Sequence, residues 1–351
     1  MKQTRRRLCI LRLSAIGDVC HAVATVQAIQ RHCPDDEITW IVGKIEAGLV
    51  TDLPGIRIAV FDKSQGITGF TDLRRQLDGP FDVLLHMQLS LRANLLSAMV
   101  PAREKWGFPK HLSKELHSLV INRRVVMPER PHVLEGFQCF AHALGVPPFD
   151  PQWHIPIPEA DRRWVDDHIA GDGPFVVIAP AASNSERNWL PERYGAVIDA
   201  LSQRGIRSVL TGAPSTSEQQ LAERISSHSH ADSINLVGQT SLKQLLALVA
   251  RAAAVVAPDS GTAHMAVTQG TPVVGLYAHS NPDRTGPYHG RALTVDAYSA
   301  HVRSQKSCSP AQLKWGTRLK GPELMAAITV AEVLEKLDQA LGSEQDLPTP
   351  G

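Results

Sequence analysis

No stretch of this 351-residue chain approaches the roughly 20 consecutive apolar residues that a membrane-spanning helix needs. At the start, Arg5-Arg6-Arg7 followed by Leu8-Cys9-Ile10-Leu11 imitates an export signal. Arg12 ends that apolar run after four residues, short of the core of about 7–15 that export requires. The five cysteines (Cys9, Cys20, Cys33, Cys139, Cys308) are odd in number and far apart, with no Cys-x-x-Cys. Neither a disulfide framework nor a zinc site is indicated, and a reducing, cytoplasmic location fits. Charge of one sign is also missing. The 36 Lys+Arg against 35 Asp+Glu argue against a protein that coats nucleic acid. Neither Gly-x-Gly-x-x-Gly nor a Walker loop occurs, which removes the usual dinucleotide and P-loop signatures. Asp-x-Asp is absent as well, so no metal and no cofactor is expected.

What is present is an alternation. Short apolar runs at 8–13, 38–42, 58–61 and 83–87 read as buried strands, with helices at 17–32, 68–77 and 90–100 between them. The second half repeats the pattern, with strands at 175–179, 207–211, 234–237, 254–257 and 272–276 and helices at 191–204, 215–228, 241–251 and 260–269. Strands alternating with helices imply an α/β protein of parallel sheets covered on both faces. Residues 146–158 hold five prolines and read as an extended linker between two doubly wound domains. The expected division is 1–150, 151–320, a terminal helix at 321–342 and a flexible tail at 343–351. Ligands of open parallel sheets sit beyond the carboxyl ends of the strands, so two such domains facing each other would make a cleft.

The chemistry-bearing residues cluster after strands. Gly17 permits a tight turn after the first strand, and Asp18 falls in the first turn of the next helix. Its carboxylate either serves as a general base toward a hydroxyl or complements the helix dipole. Pro258-Asp259-Ser260-Gly261-Thr262-Ala263-His264 joins a strand to a helix. Ser260 or Thr262 can cap that helix, and the free amides of its first turn, with Gly261 allowing close approach, suit a diphosphate. His264 can donate to a phosphate or sugar oxygen, and Asp259 can accept from sugar hydroxyls. The alternative is an ordinary capped helix with a partly buried histidine. A loop of small and polar residues, Ser183 among them, follows the strand at 175–179 and carries Arg187. Arg187 is either a bidentate phosphate ligand or a solvated charge, and Trp189 reads as a core anchor. Thr211-Gly212-Ala213-Pro214 reads as a turn.

The stretch 101–130 is basic, with seven Lys+Arg against three Glu. Lys105 and Lys110 belong to it, and Arg92 points the same way. It is either a merely solvated face or a site for an anionic acceptor or a membrane surface.

Three blocks in order, ILRLSAIGDVCHAVATVQAIQ, APAASNSERNWLPERYGAVI and NLVGQTSLKQLLALVARAAAVVAPDSGTAHMAVTQGTPVVGLY, resemble the lipopolysaccharide heptosyltransferases. The resemblance spans most of residues 8–290, and the first block with WIVGKIEA looks closest to a heptosyltransferase I subgroup acting on a phosphorylated Kdo. It implies the GT-B fold of two facing Rossmann-like domains. It also implies inverting, metal-independent transfer of L-glycero-D-manno-heptose from ADP-heptose to the Kdo region of the inner core. The partners would be ADP-heptose and a Kdo-lipid A acceptor, with the enzyme peripheral to the inner face of the cytoplasmic membrane. By the same resemblance Asp18 is the base, and Asp259, Ser260, Gly261, His264 and Arg187 hold the donor; Thr262 and Ser183 join the donor set from their places in the helix turn and the loop. Arg187 stands where a lysine is frequent, and Ala213-Pro214 where some members place an acid for the ribose. Arg12, Arg92, Lys105 and Lys110 are assigned to the acceptor. The rival readings are another GT-B transferase or epimerase and a non-catalytic two-domain sugar-binding protein.

Overall fold

A computed structural model describes residues 5–169, 171 and 173–342. The chain divides into two compact units, Met1–Pro156 and Ile157–Gly351. The division falls inside the proline-rich stretch. Trp153 Nε1 donates to the Cys20 carbonyl at 2.8 Å, and Gln27 exchanges two bonds with the backbone of His154. Those bonds tie the stretch to the first unit.

The first unit contains strands β1 (Arg7–Leu11), β2 (Glu37–Gly43), β3 (Ile56–Phe61), β4 (Phe81–His86), β5 (Ala102–Gly107) and β6 (Arg123–Arg124). Its helices are α1 (Ile16–His32), α2 (Lys44–Val50), α3 (Ile67–Gln76), α4 (Leu91–Met99) and α5 (Val133–Ala143). The second unit contains β7 (Phe175–Ile178), β8 (Arg207–Leu210), β9 (Ile234–Asn235), β10 (Ala254–Pro258), β11 (Val273–Tyr277) and β12 (Val295–Asp296). Its helices are α6 (Glu159–His168), α7 (Pro191–Gln203), α8 (Thr216–Ser227), α9 (Leu242–Arg251), α10 (Gly261–Thr268), α11 (Pro282–Thr285), α12 (Tyr298–Lys306) and α13 (Val330–Gly342).

The strand orders are β3-β2-β1-β4-β5-β6 and β12-β11-β10-β7-β8-β9, parallel throughout. Counted within its own unit, each sheet has the doubly wound order 3-2-1-4-5-6. Central strands are buried on both faces: Ile10 pairs with Trp40 on one side and Leu85 on the other. That is why they read as unbroken apolar runs rather than alternating ones.

Several elements depart from expectation. β5 was hidden by Arg103, Glu104 and Lys105, which a strand tolerates here because its outer neighbour β6 covers only two of its residues. β6, β12, α2, α5, α6, α11 and α12 were not foreseen. The terminal helix begins at Val330, not 321. Before it, the carbonyl of Ile328 accepts from Trp189 Nε1 at 3.0 Å, and Thr329 with Glu332 forms the cap. Trp189 is fully buried, in keeping with a core anchor. Gly17 is not at a turn. It lies buried in the first turn of α1. The tail expected at 343–351 lies outside the described residues.

Candidate functional site

In doubly wound sheets the strand order reverses at one point, leaving a crevice at the carboxyl ends of the two flanking strands. The reversal falls between β1 and β4 in the first unit and between β7 and β10 in the second. Most of the residues singled out from sequence gather at these two points.

In the first unit, Asp18 occupies the first turn of α1, with its side chain a third exposed. Arg12, just past β1, is buried and ion-paired to Asp18. Its other Nη donates to the Met87 carbonyl just past β4 at 2.6 Å, and its guanidinium lies 5.1 Å from the centre of the Phe137 ring. Burial pulls the Arg12 pKa down while Asp18 supports the charged form. Gln88 Oε1 accepts from the Leu13 amide at 2.7 Å and so clamps the β1 loop to the β4 loop. Arg12 is therefore engaged with Asp18 rather than held out toward an acceptor.

The other cations assigned to the acceptor separate. Arg92, in the first turn of α4, and Lys110, in the turn after β5, are exposed. Lys105 is a correction. Its ammonium is turned inward and donates to the Ser97 carbonyl of α4, and burial lowers its pKa. Burying an ammonium in this way is tolerable only where it finds a hydrogen-bond acceptor, which Ser97 supplies.

In the second unit, Arg187 follows β7 and Asp259 follows β10. They meet in a buried ion pair of 3.0 Å. Arg187 also donates to the Asp259 carbonyl at 3.2 Å and to Ser183 Oγ at 2.6 Å. Ser280, just past β11, donates to Asp259 at 2.9 Å, and His264 Nε2 stands 3.9 Å from the same carboxylate. Burial works against the Asp259 carboxylate, but His264, Arg187 and Ser280 outweigh it and hold the pKa below the ordinary value. Arg187 is thus no solvated charge.

Ser260 occupies the N-cap position of α10, yet its side chain accepts no cap bond, contrary to the expected cap. Its Oγ is buried without a hydrogen-bond partner, as are Arg187 Nε and Thr211 Oγ1 just past β8. The first amides of a helix have no partner within it, and here no cap side chain takes one. Gly261 and Thr262, both half-buried, lie in that first turn. Orphaned donors at a helix amino end beside a buried arginine are the chemistry that can hold an anion.

Some participants were not foreseen. Gln88 and Ser280 lie just after strands, so the strand-end rule applied to every strand would have found them. Glu46, in the first turn of α2, is half-buried near Arg12, and burial raises its pKa. Glu218 of α8 folds back to accept from the Ala213 amide at 2.7 Å, which places a carboxylate at the turn after β8. Five residues separate the two in sequence, so the turn read alone carries no acid.

The model of glycosyltransferase family 9 (heptosyltransferase) matches residues 70–314. The chain belongs to glycosyltransferase family 9. The lipopolysaccharide core heptosyltransferase OpsX of Haemophilus influenzae is 42% identical over 95% of this chain and 96% of its own. Among solved structures, the family 9 glycosyl transferase of Veillonella parvula superposes with a TM-score of 0.82 at 21% identity, covering 98% and 99% of the two chains. Escherichia coli heptosyltransferase WaaC with ADP gives 0.73 at 19% identity, covering 95% and 99%. These likenesses show the fold, and the family 9 enzyme described here is a GT-B-like α/β protein with two parallel six-stranded sheets. The resemblance of its three sequence blocks to the heptosyltransferases is borne out.

Proposed function

We propose that this heptosyltransferase moves L-glycero-D-manno-heptose from ADP-heptose to the Kdo region of the lipopolysaccharide inner core, with inversion. The observation that carries the donor half is the uncapped amino end of α10 beside the buried Arg187–Asp259 pair. A diphosphate competes with Asp259 for Arg187 and takes the free amides around Ser260–Thr262. Asp259, with Ser280, then serves the sugar hydroxyls, and His264 donates to the phosphate or sugar. Glu218, at the turn after β8, is suitably placed for a ribose hydroxyl. That a structural neighbour was solved with ADP supports the nucleotide.

Asp18 takes the proton as the acceptor oxygen attacks the anomeric carbon. The bond from that carbon to the diphosphate breaks, and the negative charge left on ADP is met by Arg187, His264 and the helix amides. Arg12 positions the Asp18 carboxylate through their ion pair. Arg92 and Lys110 serve acceptor carboxylates or phosphate, and Lys105 drops out of that set. In this reading the first unit handles the acceptor and the second the donor. The acceptor is Kdo-lipid A at the inner face of the cytoplasmic membrane, its Kdo phosphorylated.

The test is product analysis with ADP-heptose and a panel of Kdo acceptors with and without phosphate, for the native protein and Asp18→Asn. The variant retains an oxygen for Arg12 but accepts no proton. Turnover should fall by about 10²–10⁴-fold, with ADP affinity unchanged and the fold confirmed by thermal melting. Near-normal turnover of the variant would remove Asp18 as base. Failure of the native protein on every Kdo acceptor would remove the acceptor class.

A further inference from the structure

Among the described residues, the exposed large hydrophobics all fall in the first unit. Four of them form one surface. The outward residues of α4 are Leu91, Arg92, Leu95 and Ala98, with Leu91 and Leu95 51% and 53% exposed. A surface helix ordinarily turns polar residues outward, and Arg92 is the one charge on this face. Beside it, the segment after β5 presents Leu116 and Leu119, 65% and 77% exposed.

The two segments are bolted together. The Glu115 carboxylate accepts from the Leu91 amide, Asn94 Nδ2 donates to the Glu115 carbonyl at 2.5 Å, and Ser97 Oγ donates to the Val120 carbonyl at 3.2 Å. Glu115 and Leu116 adopt φ of 50° and 67°, a left-handed conformation costly for residues other than glycine. Two such residues in succession fix Leu116 outward while turning the Glu115 carboxylate onto α4.

Charge decides what fits this surface. Residues 88–128 carry seven Lys+Arg against two Glu. Of the two acids, Glu115 is occupied by the Leu91 amide, and Glu104 bonds Trp106 Nε1 at 2.9 Å. Arg92 on α4 and Lys110 and Lys114 on the adjoining segment are exposed. Exposed leucines and cations on the same two segments match the interface of an anionic bilayer, where acyl chains receive the apolar groups and phosphate headgroups the basic ones. The face also adjoins the β4 end of the β1/β4 crevice: Gln88, which clamps the Asp18 loop, lies three residues before Leu91.

We infer that α4 and the 110–119 segment form a membrane-docking face that inserts Leu91, Leu95, Leu116 and Leu119 into the headgroup boundary of an anionic bilayer. Such docking holds the Asp18 end of the first unit against a lipid-anchored acceptor. That last consequence rests on the proposed function; the docking itself does not.

The test is co-sedimentation of the full-length protein with vesicles of phosphatidylcholine alone or mixed with phosphatidylglycerol, at low and high salt. The native protein should bind the mixed vesicles, lose binding as salt rises, and ignore phosphatidylcholine alone. The double variant Leu95→Gln, Leu119→Gln should bind at least about tenfold more weakly, from lost apolar burial. Lys114→Gln should lose roughly fivefold, from one interfacial cation. Both leucines are exposed, so the double variant should melt like the native protein. It should also transfer sugar normally to a water-soluble acceptor lacking acyl chains while losing rate on acceptor embedded in mixed vesicles.

Native protein that turns over the soluble acceptor yet ignores mixed vesicles overturns the docking face and leaves the enzymatic reading standing. Vesicle binding that depends on the leucines, without turnover of any acceptor, does the reverse. Equal binding by native and double variant overturns the face. So does a native dimer that the double variant dissolves, with no vesicle binding by either, because the leucines would then cover a second copy of this chain.

Discussion

Arg187 and Asp259 lie 72 residues apart in the chain and form a buried ion pair. Sequence position after a strand suggests that each could meet a ligand; only the fold shows that each is the other's partner. Removing one member of a buried pair leaves the other charge unpaired, at a cost of about 3–5 kcal/mol. Arg187→Ala should therefore lower the melting temperature as well as weaken ADP. The lost charge-assisted bonds amount to about 1.5–3 kcal/mol, or roughly 10–150-fold in affinity. Arg187→Lys should recover part of both losses, since charge returns without the planar fork. Asp259→Asn should leave ADP affinity undiminished, because it removes the competitor for Arg187, yet weaken intact ADP-heptose. Calorimetric titration with both ligands checks this, and unchanged ADP affinity in Arg187→Ala would take Arg187 out of the donor site.

At the scale of elements, the 108–119 segment is pinned to α4 by a buried polar network. His86 Nε2 lies 2.9 Å from Asn94 Oδ1, His117 Nδ1 lies 3.1 Å from the same oxygen, and His117 Nε2 accepts from the Phe108 amide at 3.1 Å. Gly107 makes room, since a Cβ there would stand 2.4 Å from His117 Nε2. Both rings must be neutral. A proton on His117 Nε2 would face the Phe108 N–H, and one on His86 Nδ1 would be buried with no acceptor. Burial, then the neighbouring His117, Lys105 and Arg12, pull His86 down to about 3, against the Asn94 bond. Burial and Arg124 pull His117 down to about 4.

Folded pKa values below the unfolded one mean that the unfolded chain binds more protons. The stability these neutral rings carry is full above about pH 6.5 and is lost as pH falls toward 4. At pH 5 each ring should cost about 2 kcal/mol relative to neutral pH. Urea denaturation at pH 7.5 and pH 5 should show His117→Gln losing less stability on acidification than the native protein, by about that amount. An identical pH dependence would show that His117 is not held neutral. None of this network was legible in sequence, because a histidine looks alike whether it is buried or solvated until its packing partners are known.

For the whole molecule, two sheets of the same strand order each put a polar cluster at their point of reversal. One cluster offers the Asp18 carboxylate, the other an uncapped helix end beside the Arg187–Asp259 pair. In the proposed reading the charge of a departing diphosphate falls to Arg187, His264 and the α10 amides. Turnover should accordingly survive EDTA. Complete loss, restored by magnesium or manganese, would show that these groups do not suffice.

The sequence alone determined the alternation of strands and helices, the positions of Asp18, Arg187 and Asp259 just after strands, and, through three ordered blocks, the family. These are local properties: apolar periodicity and strand-end placement are written within a dozen residues. Tertiary structure decided the rest. β5 became a strand despite Arg103, Glu104 and Lys105 because pairing with β4 outweighs its weak local propensity. Lys105 turned inward, Glu218 folded back to the turn after β8, and the leucines of α4 stayed outside. Which side of a helix is covered, and which charge meets which, depends on elements distant in the chain, and no local pattern encodes them.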